Sequence, residues 1–539
     1  MAVKPKPKSK PKPSFRTMLG RFTVPPFVTD PKLRNEKFGL PKSDTAKGDY
    51  IIELSLSYEK GMKLAGIAFR ELYKRVLGDA ANRWPPQFIS KSYFKCHISA
   101  RQVRALLESD EKNAPHLRVI YKVWPDFPVE ALIDRSVSTV KGDAAIRAYE
   151  ATGDGVVWAV IDSGIDGKHI HFGPGANGNG PNKFCHTLFD PSVAKLHRDF
   201  TVTGGVPQPE DFEGHPEAYD AALATNAQSA LRDEYGHGTH VAGIIAGGLQ
   251  EDLDPAGFHV NERVFKSNPN GQGHTITVEP RKAIAKQIRG VAPQCKLVSL
   301  KVLNKDGKGA ASGIMLALRY IREELNDDPK MLRVHGVNLS VGYEFDAEMF
   351  ACGQSPLCVE VDRLVKTGVI VVVAAGNTGY TQISTMERYT KVGLQNTIND
   401  PGNAELAITV GSTHRDSPHT YGVSFFSSKG PTGDGRLKPD LVAPGERITS
   451  AATPGQLLRL GLSKPVDDGC TYIDDSGTSM AAPHVSGAIA AFLSIRREFI
   501  QKPDQVKQIF LENSTPLGNR DRYFQGKGLI DLMRAIQSV

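Results

Sequence analysis

A chain of 539 residues, 40% hydrophobic and 23% charged, has an ordinary globular composition and room for about two to four domains. It therefore falls outside the class of small, core-poor folds. Six scattered cysteines (Cys96, Cys185, Cys295, Cys352, Cys358, Cys470) and no Cys-x-x-Cys exclude a disulfide scaffold and argue against a zinc ribbon, although Cys352 and Cys358 are spaced to close a small loop. The net charge of +7 is uneven: positions 1–135 hold 26 Lys+Arg against 14 Asp+Glu, and the remainder 40 against 45.

From Met1 to Pro13, Lys alternates with Pro or Ser, and no apolar run of a secretory leader follows. No apolar stretch is read as reaching the ~18 residues of a membrane span. A cytoplasmic protein without a membrane partner is expected. Residues 1–48 read as a solvated basic tail. Its basic residues lack interleaved aromatics, which argues against a nucleic-acid partner.

Residues 49–127 read as a small α+β unit. Tyr50 to Leu56 alternates as a strand, and Tyr58 to Leu77 carries Met62, Leu64, Ala65, Ala68, Phe69, Leu72 and Tyr73 at helical spacing. Phe88–Ile98 is strand-like, Ala100–Ser109 helical, and Leu117–Trp124 a closing strand. This β-α-β-α-β order suggests a ferredoxin-like fold, which would need one of these strands to be split. Pro125 and Pro128 mark a linker, placed at 128–138.

From about Ser136, continuous apolar runs alternate with helical patterns. That predicts an α/β fold with a mostly parallel sheet flanked by helices on both faces. Expected strands are Val156–Ile161, Lys296–Val302, Val334–Val341, Val369–Val373 and Leu406–Val410, with a helix over Gly142–Glu150. Two polar, Gly/Pro-rich stretches, 173–232 and 248–286, read as surface insertions in a 139–539 domain; Thr275–Val278 in the second has a hairpin-strand pattern. Ligands of open α/β sheets bind beyond the strands' C-terminal ends, so residues there carry the functional reading.

Asp162 follows its strand directly, where it can orient a histidine, although Asp-Ser-Gly is also a common turn. His237 lies between glycines at a helix start and suits a general base. His237 and His240 are spaced i, i+3, but no HExxH or third ligand accompanies them, so no metal site is assigned and His240 is read as structural. Asn377 ends an apolar run, and can cap a turn or donate to an oxyanion. Ser340, Val341 and Gly342 end another, where glycine allows a peptide backbone to lie close. Ser479 opens the Ala-rich helix expected from Met480 to Ile495. There it reads either as a helix cap or as a nucleophile whose oxyanion meets backbone donors.

The order Asp…His…Ser is that of subtilisin. With seven motifs in sequence, the chain from about 136 to 539 resembles the subtilisin-like serine peptidases (subtilases). They are Ala159-Val-Ile-Asp-Ser-Gly-Ile-Asp, Gly236-His-Gly-Thr-His-Val-Ala-Gly, Gly290-Val-Ala-Pro, Ala374-Ala-Gly-Asn, Phe426-Ser-Ser-Lys-Gly-Pro, Lys438-Pro-Asp-Leu-Val-Ala-Pro-Gly and Gly477-Thr-Ser-Met-Ala-Ala-Pro-His-Val-Ser-Gly. The resemblance implies a serine endopeptidase acting on proteins or peptides. Ser479 would be the nucleophile, His237 the base and Asp162 its orienting carboxylate. Asn377 and the Ser479 N–H would form the oxyanion hole, and Ser340, Val341, Gly342, Ala374, Ala375 and Gly376 would line the substrate cleft. It also implies that 49–127 is an inhibitory N-terminal module, cleaved off between Trp124 and Thr139. No cofactor is required by this chemistry. Family members often bind structural calcium, but no calcium loop matches residue by residue. The competing reading is a binding or regulatory protein on a catalytically silent fold of this kind.

Overall fold

The computed structural model describes residues 40–125, 135–173, 184–202, 206–212, 214–249, 258–267, 274–283, 288–328, 330–345, 351–384, 389–459 and 472–539. Most of the expected basic tail, residues 126–134 around the linker, and Cys470 lie outside them. The chain divides into two units, Met1–Ala131 and Leu132–Val539.

In the smaller unit the elements are β1 (Lys47–Leu54), α1 (Met62–Leu77), β2 (Gln87–Ser90), β3 (Tyr93–Ser99), α2 (Ala100–Glu111) and β4 (Ile120–Pro125). The stretch expected as one strand over Phe88–Ile98 is thus a tight hairpin. The order is β2-β3-β1-β4, antiparallel throughout, the ferredoxin-like arrangement. Strand β1 alternates as its sequence does, with Tyr50, Ile52 and Leu54 buried against Phe69, Leu72 and Tyr73 of α1 and Val103 and Leu106 of α2. Ser99 starts α2 through a capping box with Gln102, satisfying two backbone donors that the helix end would strand. The buried Asp110 carboxylate then accepts from the Val119 and Ile120 N–H groups at 3.1 and 2.9 Å, fixing the entry to β4.

The larger unit is built on a seven-stranded parallel sheet. Its strands are β5 (Val157–Asp162), β6 (Arg198–Asp199), β9 (Lys296–Lys301), β10 (Gly336–Leu339), β11 (Ile370–Ala374), β14 (Ile408–His414) and β15 (Leu441–Glu446), in the order β15-β14-β11-β10-β5-β9-β6. Every residue of β5 is buried, which is why its sequence runs apolar without alternation. One face packs against Val241, Ile245, Val485 and Phe492, the other against Leu318, Ile321, Val361 and Leu364. The remaining helices used below are α3 (Gly142–Tyr149), α4 (Pro216–Ala230), α5 (His237–Ile245) and α6 (Thr478–Ile495).

Several expectations change. The stretch 173–232 is not simply a surface insertion: it supplies edge strand β6, helix α4 and the buried residues Leu188, Val193, His197 and Asp199. In 248–286, β7 (Phe258–Ser267) and β8 (His274–Ala283) form a hairpin. It joins β17 (Tyr472–Asp475) and β16 (Ile448–Ala451) in a four-stranded sheet, while β12 (Tyr380–Ser384) and β13 (Tyr389–Gly393) pair as a separate two-stranded sheet. Helix α6 spans 18 residues and is apolar enough by composition to cross a membrane, contrary to the expectation that no stretch is, yet 83% of it is buried inside the protein. Cys352 and Cys358 are both free thiols, so no disulfide closes the loop between them.

Candidate active site

Parallel register brings the candidate residues together. Leu339 at the end of β10 pairs with Ile161 of β5 on one side and Val373 of β11 on the other. The next residue along each strand is therefore Asp162, Ser340 and Ala374, side by side at the C-terminal edge of the sheet. Helices α5 and α6 begin over that edge with His237 and Thr478.

Asp162 is fully buried and accepts from the Ser163 N–H at 2.8 Å. Its two oxygens lie 2.8 and 3.0 Å from His237 Nδ1. A carboxylate only accepts, so Nδ1 carries the proton and the neutral ring keeps its lone pair on Nε2. Burial disfavours the imidazolium. The charge and hydrogen bond of Asp162, with Asp475 and Asp233 further out, outweigh it and hold the His237 pKa above its ordinary 6.5. The approach is close enough to require glycine at 238, where a Cβ would come within 2.2 Å of the Gly164 carbonyl oxygen.

Asp233 completes this side. Its Oδ1 accepts from the Ser163 hydroxyl at 2.8 Å and the Gly236 N–H at 2.7 Å. Its Oδ2 accepts from the Thr239 N–H at 2.8 Å and hydroxyl at 2.6 Å, and the Ser163 hydroxyl in turn receives the Gly238 N–H at 2.9 Å. One buried carboxylate thus ties the residue after Asp162 to both flanks of His237. Burial pushes its pKa up to about 6 in spite of these donors. Sequence reasoning missed Asp233; the available signal was its place three residues before a glycine turn, where Asp closes a local ring with backbone N–H groups.

His237 and His240 do not converge. The buried His240 donates from Nε2 to the Ile473 carbonyl at 3.1 Å, and burial pushes its pKa down to about 4, in keeping with a structural histidine.

On the other side, Ser479 is the second residue of α6, where N–H groups have no intrahelical acceptor. The turn ahead of it is held by backbone. Gly477 N–H donates to the Gly445 carbonyl at 2.8 Å. Asn377 Oδ1 accepts from the Thr478 N–H at 2.9 Å and hydroxyl at 3.1 Å, and Gly376 N–H donates to the Thr478 hydroxyl at 3.1 Å. Pro483 inside α6 lacks the N–H that would bond the Ser479 carbonyl four residues back. The Ser340 hydroxyl fills that place at 2.9 Å and is itself positioned by Asn338 Nδ2 at 2.9 Å. The Ser479 hydroxyl donates to the Ser340 carbonyl at 3.1 Å rather than to His237.

A cavity of about 360 Å³ opens between the two sides, lined by His237, Ser340, Val341, Gly342, Ala374, Gly376, Asn377 and Ser479, together with Tyr235, Leu303 and Asn399, which sequence reasoning did not single out. Ala375, expected in the cleft, is instead fully buried, with its N–H on the Val410 carbonyl and its carbonyl receiving the Asn399 N–H. Gly342 lines the cavity, and the fold itself requires glycine there: a Cβ would meet the protein's own Asp400 carbonyl oxygen at 2.3 Å.

Comparison with known proteins gives a consistent assignment. A family model described as the subtilase family matches residues 153–528. Serine protease AprX of Bacillus subtilis (strain 168) is 26% identical over 519 residues, covering 95% of this chain and 92% of that protein. Subtilisin DY of Bacillus licheniformis is 28% identical over 350 residues, 65% of this chain and 89% of that protein. Subtilisin E of Bacillus subtilis (strain 168) is 26% identical over 401 residues, 74% and 70% respectively.

Proposed function

The chain belongs to the subtilase family and is a serine peptidase, and from that premise we propose that Ser479, His237 and Asp162 are its catalytic triad. The Ser479 hydroxyl turns from the Ser340 carbonyl toward Nε2 of His237, which takes its proton as Oγ attacks the scissile carbonyl carbon. Asp162 keeps the proton on Nδ1 and stabilises the imidazolium. The negative oxygen of the tetrahedral intermediate meets the Ser479 N–H and the Asn377 amide NH₂, the end of that amide left for a ligand once its oxygen is bonded to Thr478. His237 returns the proton to the departing amine, leaving an acyl-enzyme that water hydrolyses by the same route. The observation that carries this reading is the 2.8 Å bond from His237 Nδ1 to a buried Asp162, beside a cavity that Ser479 and Asn377 also line. A fluorophosphonate probe tests it. Covalent labelling at Ser479, abolished in Ser479→Ala, is expected; a folded chain that never labels would be a binding protein on a silent fold.

The proposal extends to synthesis as a precursor, with residues 49–127 as an inhibitory module removed by cleavage between Trp124 and Thr139. Its support is the ferredoxin-like topology of that unit and the basic balance of the first 135 positions against the acidic remainder. Intact mass of the wild type and Ser479→Ala decides it: the wild type should shorten and the variant should not. A wild type still full length after prolonged incubation would sink the idea.

A further inference from the structure

The hairpin of the second inserted stretch has no part in the chemistry above, yet it is fastened to the residues that lead into Ser479. Strand β7 joins β17 in parallel at Asn261 and Ile473. Two residues on, the Arg263 N–H donates to Asp474 Oδ1 at 2.6 Å, and the Arg263 guanidinium reaches Asp475 Oδ1 at 3.1 Å. Asp474 is fully buried and ion-paired with Arg263 at 3.7 Å and Arg447 at 3.6 Å. Glu262, beside Arg263, takes Arg415 at 3.0 Å and Arg447 at 3.4 Å. Taking so many charges out of water costs stability unless each is matched, and here the matching crosses from the inserted hairpin to the strand before the nucleophile turn.

Asp475 is the pivot. Its Oδ1 also accepts the Ser476 N–H at 2.8 Å, so the oxygen that Arg263 grips makes the first bond of the turn 475–479. The groups facing His237 are Asp162, Asp475, Asp233 and His240, with the Tyr235 ring alongside. Those facing Asp475 are His240, Arg263, His237 and the Ser476 N–H. Burial disfavours the Asp475 carboxylate, but its charged and donating neighbours outweigh it and hold it below the ordinary carboxylate value; with His240 neutral above about pH 4, that support comes from the Arg263 guanidinium and the Ser476 N–H.

We propose that Arg263 is a positioning residue for the peptidase reaction: it anchors Asp475 at the head of the nucleophile turn and offsets a second carboxylate facing His237. The inserted hairpin, and not Asp162 alone, thereby decides how much negative charge the imidazole meets. The inference rests on the reading of His237 as base and Ser479 as nucleophile.

The test follows the rate of fluorophosphonate labelling of Ser479, and kcat/KM on a peptide substrate, against pH in the full chain. Arg263→Met exposes the Asp475 charge and should move the acid limb up by about half a pH unit, while Asp475→Asn should move it down by about as much. Arg263→Lys keeps a cation and should hold the limb near that of the parent. A residue that merely packs would slow the reaction without these opposed displacements. If Arg263→Met fails to fold, the downward displacement in Asp475→Asn, with Arg263→Lys unmoved, still decides. A parent that labels, with the same limb in every variant, overturns the proposal; a parent that never labels at Ser479 overturns the underlying reading instead.

Discussion

The two sides of the cavity are held by different forces. Around His237 the grip is ionic: buried Asp162 takes the ring, and Asp233 takes Gly236 before it and Thr239 two residues after it. Around Ser479 the grip is made of backbone and neutral hydrogen bonds, through Gly445, Asn377, Gly376 and Ser340. The contrast teaches where each side is vulnerable. Charge in a buried setting responds to pH and to charge-removing substitutions; backbone packing responds to added volume. Arg263 and Asp475 extend the ionic grip to the root of the neutral side.

The largest effect tests the neutral side at its centre. Ser479→Ala should cut peptidase turnover by on the order of 10⁶-fold, as loss of a triad serine does. The acid limb of what remains carries no information on His237, so the measurement is the rate alone. Next comes the ionic side. Asp162→Asn should lower turnover by about 10⁴-fold and also displace the acid limb of kcat/KM to lower pH, because burial is then less opposed. In the parent, that limb should lie above 6.5, the ordinary histidine value, since catalysis needs the neutral ring. Stability runs the opposite way: the pairing of imidazolium with Asp162 contributes fully below pH 6.5 and is lost as pH rises through the raised folded value. Thermal melts across that window check it, and a parent limb below 6.5 would contradict the geometry.

Asn377→Ala, read by steady-state kinetics, should lower kcat by about 10²–10³-fold with the limb unmoved, because no charge near His237 changes. A displaced limb there would blur the division between the two sides. The smallest effect is on stability. Gly342→Ala forces a Cβ toward the Asp400 carbonyl and should cost about 1–3 kcal/mol, read as a lowered melting temperature. Full stability, with loss confined to long peptide substrates, would restore the view that this glycine serves the substrate.

Much of the fold was legible because parallel strands buried on both faces must be apolar throughout. Runs such as Val157–Asp162 and Ile370–Ala374 announce themselves, as do the chemical residues at or beyond their C-terminal ends. Strands β6 and β15 were missed for the converse reason. Arg198–Asp199 is too short to carry a pattern, and Leu441–Glu446 contains a Pro and a Gly that read as loop. The hairpin at Gln87–Ser99 reads as a single strand because its turn, Lys91-Ser92, has neither Gly nor Asn.

By itself, then, the sequence determined which residue types stand at the strand ends and helix starts, since local periodicity and turn chemistry are written in neighbouring positions. Only the tertiary structure decided what those residues touch. That Asp233 grips both flanks of His237, that Ser340 replaces the N–H Pro483 lacks, that Ala375 turns away from the cavity, and that an inserted arginine reaches Asp475 are contacts between residues distant in the chain or matters of which way a backbone faces. They are fixed by packing and by the need to pair every buried polar group, which no local pattern records.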